Sequence, residues 1–184
     1  DVEVIGWLDD HSRYLLHLTA HRRVTGRTVT DTFTATALEH GYPAATLTDN
    51  GMVYTTRLAR GGRGRGDGAG NAFETFLADL GMTQKNGRPF KPTTQGKIER
   101  FWQTLKKHLD AHPTATITEL QAVLDAFRDY YNHVRPHRAL RRKTPAFAYQ
   151  LIPKARPTTP DDQNVWRVRY DTIDRDGKIS LRHS

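Results

Sequence analysis

Two acidic residues stand in surroundings suited to metal-assisted phosphoryl chemistry. Asp49 lies in Leu47-Thr48-Asp49-Asn50-Gly51, directly after a short apolar run, while Glu99 lies in Gln95-Gly96-Lys97-Ile98-Glu99-Arg100-Phe101-Trp102, whose pattern predicts a helix. A carboxylate at a strand end and another on a later helix can hold catalytic divalent ions, because hard cations take oxygen ligands. Each residue also has a plainer reading: Asp49 as part of an ordinary turn, Glu99 as a solvated helix residue paired with Lys or Arg. Gln95, Glu99, Gln103 and Lys106 recur at i, i+4, i+8 and i+11 and share one helix face. An amide and an ammonium beside a metal-binding carboxylate suit contact with nucleic-acid phosphate. The third carboxylate that such a site needs is not evident.

Composition narrows the field. The 184 residues are 36% hydrophobic, enough for one main domain plus a small appendage. No apolar run approaches the ~20 residues that span a bilayer, so no membrane partner is expected. Cysteine is absent, which excludes disulfides and thiolate metal sites and fits a reducing cytosol. A net charge of +8 with Arg in excess of Lys points to a polyanionic partner, with nucleic acid first. The chain opens Asp1-Val2-Glu3, without Met and without a basic and apolar leader, and reads as a fragment.

The elements that must position the two carboxylates follow from patterning. Val2 to Leu8 and Arg13 to Leu18 read as strands joined by the turn Asp9-Asp10-His11-Ser12. Val29, Phe33 and Ala37 lie on one helical face, stopped at Gly41 and Pro43. Ala45 to Thr48 reads as a short buried strand that delivers Asp49. Phe73, Phe76, Leu77 and Leu80 have amphipathic helical spacing, closed by Gly81, with a short strand at Met82 to Lys85. A helix from about Thr94 to Leu109 carries the apolar stripe Ile98, Trp102, Leu105 and Leu109. Thr116-Ile117-Thr118-Glu119 forms a capping box ahead of a helix with Leu120, Val123, Leu124, Phe127 and Tyr131 inward. Strands paired in a hairpin, then strands alternating with helices, argue for an α/β domain over residues 1–150. Residues 151–164 read as a Pro-bearing linker, and 165–184 as the start of a small β domain with a hairpin at Asp176-Gly177. The stretch Arg60 to Gly70 is basic and glycine-rich. It lacks the Lys-Ser/Thr of phosphate-binding loops and stands either as a phosphate-touching arm or as a solvated insertion.

Four motifs in order resemble the catalytic core of retroviral-type integrases and of bacterial insertion-sequence transposases, the Asp-Asp-Glu family. They are Trp7-Leu8-Asp9-Asp10-His11-Ser12-Arg13-Tyr14; Thr48-Asp49-Asn50-Gly51; Gln95 through Phe101; and Tyr131-Asn132-His133-Val134-Arg135-Pro136-His137-Arg138-Ala139-Leu140 with Thr144-Pro145. Between Asp49 and Glu99 lie 49 residues; removing the 14 from Arg57 to Gly70 leaves 35, the family's usual separation, so that stretch reads as an insertion.

The resemblance implies a ribonuclease-H-like mixed sheet flanked by helices. It makes Asp49 and Glu99 the second and third catalytic carboxylates and metal ligands, holding two Mg²⁺ or Mn²⁺ ions. The implied activity is DNA strand transfer: metal-dependent cleavage and joining at element ends and target. Gln95 and Lys106 match DNA-contacting positions, to which Arg100, Lys107 and Lys91 add phosphate contacts. Asn132, Arg135 and Pro136 would lock a turn under the last long helix, leaving Arg141 to Lys143 as candidates for backbone contact. The family's first Asp lies on a strand upstream of Trp7, and Asp9 and Asp10 fall in a turn instead. The expectation is therefore a core without its first strand, inactive or nearly so by itself, from a homo-oligomeric protein of the bacterial cytoplasm and nucleoid. The alternative is a catalytically dead DNA-binding remnant. A ribonuclease H sharing the fold is disfavoured by the Tyr131–Leu140 signature.

Overall fold

The β-branched and aromatic residues at the start of the chain pair into a hairpin, and described helices pack on both of its faces. The computed structural model describes residues 1–48, 54, 71–86 and 96–157. Asp49, Lys91, Gln95, the 57–70 stretch and the 165–184 hairpin lie outside the described residues, as does the linker beyond residue 157.

Strands β1 (Glu3–Leu8) and β2 (Leu15–His21) are antiparallel, registered from Glu3 opposite His21 to Trp7 opposite His17. The register shifts between Trp7 and Leu8, which brings Leu8 opposite Leu15. The turn between them is built by Asp9. Its Oδ2 accepts the Ser12 N–H at 2.8 Å and the Ser12 hydroxyl at 2.6 Å, and Ser12 Oγ accepts the Tyr14 N–H. This is the local side-chain-to-backbone bonding that Asp and Ser favour in turns.

One hairpin face, through Ile5 and Trp7, meets Val29, Phe33 and Ala37 of α1 (Gly26–His40), Phe73 and Leu77 of α2 (Ala72–Asp79), and Met82. Helix α1 starts at a reciprocal Thr25–Thr28 capping box and stops at Gly41, whose φ of 90° suits a residue without Cβ. Strands β3 (Ala45–Thr48) and β4 (Thr83–Asn86) pair in parallel, with α2 as their crossover. The sequence reads β3 as buried, yet only Thr46 and Thr48 are buried and Leu47 is 41% exposed. The alternation arises because a strand with one covered face shows every second residue to solvent.

The opposite hairpin face holds Leu15 and Leu18 against Phe101 and Leu105 of α3 (Gly96–Asp110) and Leu124 and Phe127 of α4 (Ile117–Asp129). The Thr116–Glu119 capping box opens α4 as expected. A π-helical turn at Tyr130–Val134 extends α4 and buries Tyr131 and Asn132. Helix α5 (Pro145–Leu151) starts with Pro at its first position under a Thr144 cap. Beyond it the chain returns to the body, where the Ala155 carbonyl accepts the Ala44 N–H at 3.0 Å.

Among the described residues the strands thus form a ribonuclease-H-like α/β core in two pieces, β1–β2 and β3–β4. No described helix is long and apolar enough to cross a membrane.

Candidate functional site

Helix α3 presents the candidate site because its apolar arc is fixed from behind. At about 100° per residue, Phe101, Leu105, Ile98, Leu109 and Trp102 fall within one arc, and Glu99, Gln103 and Lys106 cluster on the other side. Phe101 and Leu105 are fully buried, while Ile98, Trp102 and Leu109 are partly covered. The stripe read from sequence left out Phe101, the deepest ring of the helix. Phe101 meets Tyr131 edge-on at 5.4 Å and Phe127 at 6.2 Å, so α4 rather than the hairpin alone sets the helix orientation.

That orientation leaves Glu99, Arg100, Gln103, Lys106 and Lys107 exposed. Glu99, Trp102, Gln103 and Lys106 line a shallow depression together with Val4 of β1. Glu99 makes no hydrogen bond or ion pair with any described residue, and neither Lys106 nor Lys107 is paired with an acid. The plain reading, a carboxylate neutralised on its own helix, is therefore not what the described residues display. Its place in the first turn of α3 also favours negative charge, through the helix dipole.

Lys97, two residues before Glu99, anchors this end of α3. Its Nζ donates to Asp10 Oδ2 at 2.6 Å and to the Asp10 carbonyl at 3.2 Å. Asp10 is thus tied to Lys97 and Asp9 to Ser12, so the two carboxylates most readily mistaken for a missing ligand are engaged in holding the turn. Sequence reasoning missed Lys97, since nothing local connects residues 87 positions apart. Among the described residues no three His, Cys, Asp or Glu gather as a metal-holding group. The oxygen donor of Glu99, exposed and unpaired, fits a hard cation such as Mg²⁺ or Mn²⁺. Of the other predicted site residues, Asp49 follows the end of β3 directly in the chain, and Gln95 immediately precedes α3.

Behind the site, the Tyr131–His137 segment is a structural lock. Asn132 is buried; its Oδ1 accepts the Leu15 N–H at 2.8 Å and its Nδ2 donates to the Leu15 carbonyl at 2.9 Å. The Arg135 guanidinium donates to His137 Nε2 at 3.0 Å, which requires that nitrogen to be unprotonated. Burial, reinforced by the Arg135 charge, pushes His137 down to about 4. Burial also pushes the Tyr131 hydroxyl up to about 12.

Comparison with known proteins places this arrangement. Two models of the integrase core domain match, over residues 1–92 and 80–145. The chain belongs to the integrase core domain family. It is 27% identical over 146 residues to an uncharacterized 31.7 kDa protein of insertion element IS407 from Burkholderia multivorans, covering 79% of this chain and 48% of that protein. It is also 27% identical over 142 residues to the transposase of insertion sequence element IS904 from Lactococcus lactis, covering 75% of this chain and 51% of the relative. The chain therefore spans about half the length of these curated relatives.

Among solved structures it resembles a chain of the simian T-cell lymphotropic virus intasome, with a TM-score of 0.62 at 21% identity over 85% of this chain and 52% of the other. The HTLV-2 integrase catalytic core, solved in complex with magnesium in a dimeric form, matches with a TM-score of 0.52 at 14% identity, covering 83% of this chain and 92% of that one. At such identities the likeness establishes the fold.

Proposed function

We propose that the chain is the catalytic core of a DNA strand transferase of a mobile element, cleaving and joining DNA at element ends and target. The observation that supports this most is the exposed, unpaired Glu99, flanked by Gln103 and Lys106 on the outer face of α3, in a chain of the integrase core domain family. In this reading Asp49 and Glu99 hold the divalent ions. When bound, these would activate a water or a DNA 3′-hydroxyl and stabilise the leaving oxygen.

The chain's own residues do the positioning. Phe101 and Leu105 fix the rotation of α3, and Lys97 ties its first turn to the hairpin. Lys106, Arg100 and Lys107, with Gln95 and Lys91, then meet DNA phosphate, so the scissile group lies where Glu99 faces solvent. The magnesium of the HTLV-2 integrase structure agrees with the choice of metal. Joining two ends to one target favours a dimer or larger assembly.

Because Asp9 and Asp10 are engaged elsewhere, we read these 184 residues as holding two of the three carboxylates, and as inactive or nearly so alone. The same observation supports the second reading, a DNA-binding remnant that has lost catalysis. Mn²⁺-dependent strand transfer separates them, measured on a version extended by a strand bearing the first Asp, with Asp49→Asn and Glu99→Gln as controls. Joining that both substitutions abolish supports the transferase. DNA binding without cutting or joining supports the remnant.

A further inference from the structure

Seven of the 28 Lys and Arg residues, and none of the 20 Asp and Glu, lie between Tyr130 and Pro160. Elsewhere the count is 21 against 20, so nearly all of the net charge of +8 resides in this one segment. The fold concentrates it further. Lys154 turns back on the body, donating to the Tyr149 and Ile152 carbonyls and lying over the Tyr149 ring. Arg135 is committed to His137 and lies 5.7 Å from the centre of the Tyr131 ring.

Of the other five, Arg156 lies beyond α5, while Arg138, Arg141, Arg142 and Lys143 gather ahead of it, all exposed and none in an ion pair with a described residue. They sit on a closed loop. The His137 N–H donates to the Lys143 carbonyl, and the His137 carbonyl accepts the Leu140 and Arg142 N–H groups. Arg141 and Arg142 both have left-handed backbone, with φ of 52° and 63°. Lys143 Nζ lies 5.1 Å from the centre of the Phe147 ring, which is 46% exposed.

We propose that the Arg138–Lys143 loop is a second DNA-contacting surface, distinct from α3, that grips the phosphate backbone of a duplex. This rests on the reading of the chain as a DNA-processing core. Four unpaired cations on a short closed loop suit a polyanion. Within the loop only Ala139 is an exposed apolar residue, and the neighbouring Phe147 ring has Lys143 over it, so the surface offers mainly charge. The loop holds no Asn or Gln to read adenine, and a random-sequence duplex isolates the phosphate contacts of its cations from any reading of guanine by its arginines.

The test is fluorescence anisotropy of a labelled random-sequence duplex with the 184-residue chain at increasing salt. Three variants are compared: R138Q/R141Q/R142Q/K143Q, the charge-preserving R138K/R141K/R142K, and R100Q/K106Q/K107Q on α3. Every loop replacement exchanges one L-residue for another at the two left-handed positions, so the backbone cost is common to both loop variants. The glutamine variant is expected to bind at least about tenfold more weakly and to flatten the log K against log[salt] slope by about 0.9 per lost contact. The lysine variant should keep both. If the glutamine loop variant binds like the unaltered chain while the α3 variant is weakened, the loop is no contact surface, though the DNA reading stands. If the lysine variant is as weak as the glutamine one, the loop acts through its shape and the proposal falls. If the unaltered chain shows no salt-dependent duplex binding, or prefers polyglutamate, both readings fall.

Discussion

The two faces of the β1–β2 hairpin are held by different means. Toward α1 and α2 the contact is made by rings: Trp7 meets Phe33 at 5.2 Å and Phe73 at 6.0 Å, with the Trp7–Thr32 hydrogen bond of 3.1 Å beside them. Toward α4, side-chain amides take hold of strand backbone. Asn132 satisfies both polar groups of Leu15, and Gln121 accepts the Ala20 N–H and donates to the Leu18 carbonyl. Packed rings tolerate small shifts, whereas an amide paired with both groups of one residue sets the register of that strand. Glu99 therefore stands on a helix packed against the face where hydrogen bonds also fix the strand register.

Substitutions on either face put this contrast to the test. Phe101→Ala and Phe73→Ala each remove a fully buried ring, one from each face, and should cost about 3–5 kcal/mol in urea unfolding. A much smaller loss for either would mean that its face lies outside the cooperative core. Asn132→Ala leaves the Leu15 N–H and carbonyl without partners, for about 3 kcal/mol by the same measurement.

His137 supplies the pH test. The unfolded chain takes up a proton near the ordinary value of 6.5 that the folded chain refuses until about 4. Its contribution is complete above that upper value, and about 3 kcal/mol is lost as pH falls through the interval. In a pH series of unfolding midpoints, His137→Gln should flatten that decline relative to the unaltered chain. Trp7→Phe keeps most of the ring contact and loses the bond to Thr32, for about 1 kcal/mol. If it instead cost as much as Asn132→Ala, the two faces would not differ as described. Smallest is Lys97→Met, which removes an exposed ion pair and should shift stability by a few tenths of a kcal/mol.

Much of this architecture is legible in the residues. The Thr116–Glu119 box, the Gly41 stop and the spacing of Phe73 and Leu77 are local signals, and the structure uses each of them locally. The outward placement of Glu99 and Lys106 follows from helical period alone. Other features depend on partners distant in the chain. Phe101 is central because α4 comes to lie against it, and Lys97 matters because the hairpin turn brings Asp10 to it. The exposure of Leu47 depends on which face of β3 receives a cover, which no window of four residues specifies. The left-handed backbone at Arg141 and Arg142 has no signal in residue type either, since glycine or asparagine would be the usual mark.

The π-helical turn at Tyr130–Val134 makes the chain sensitive to counting. A π turn holds one residue more than regular winding needs, and each residue of a helix advances the azimuth by about 100°. Deleting one residue there would let the backbone relax into an ordinary helix, yet swing Asn132 away from Leu15. Here the length of the segment matters apart from its composition. Side-chain substitutions can be absorbed by repacking, but an insertion or deletion between Phe127 and Pro136 changes the phase of everything that follows.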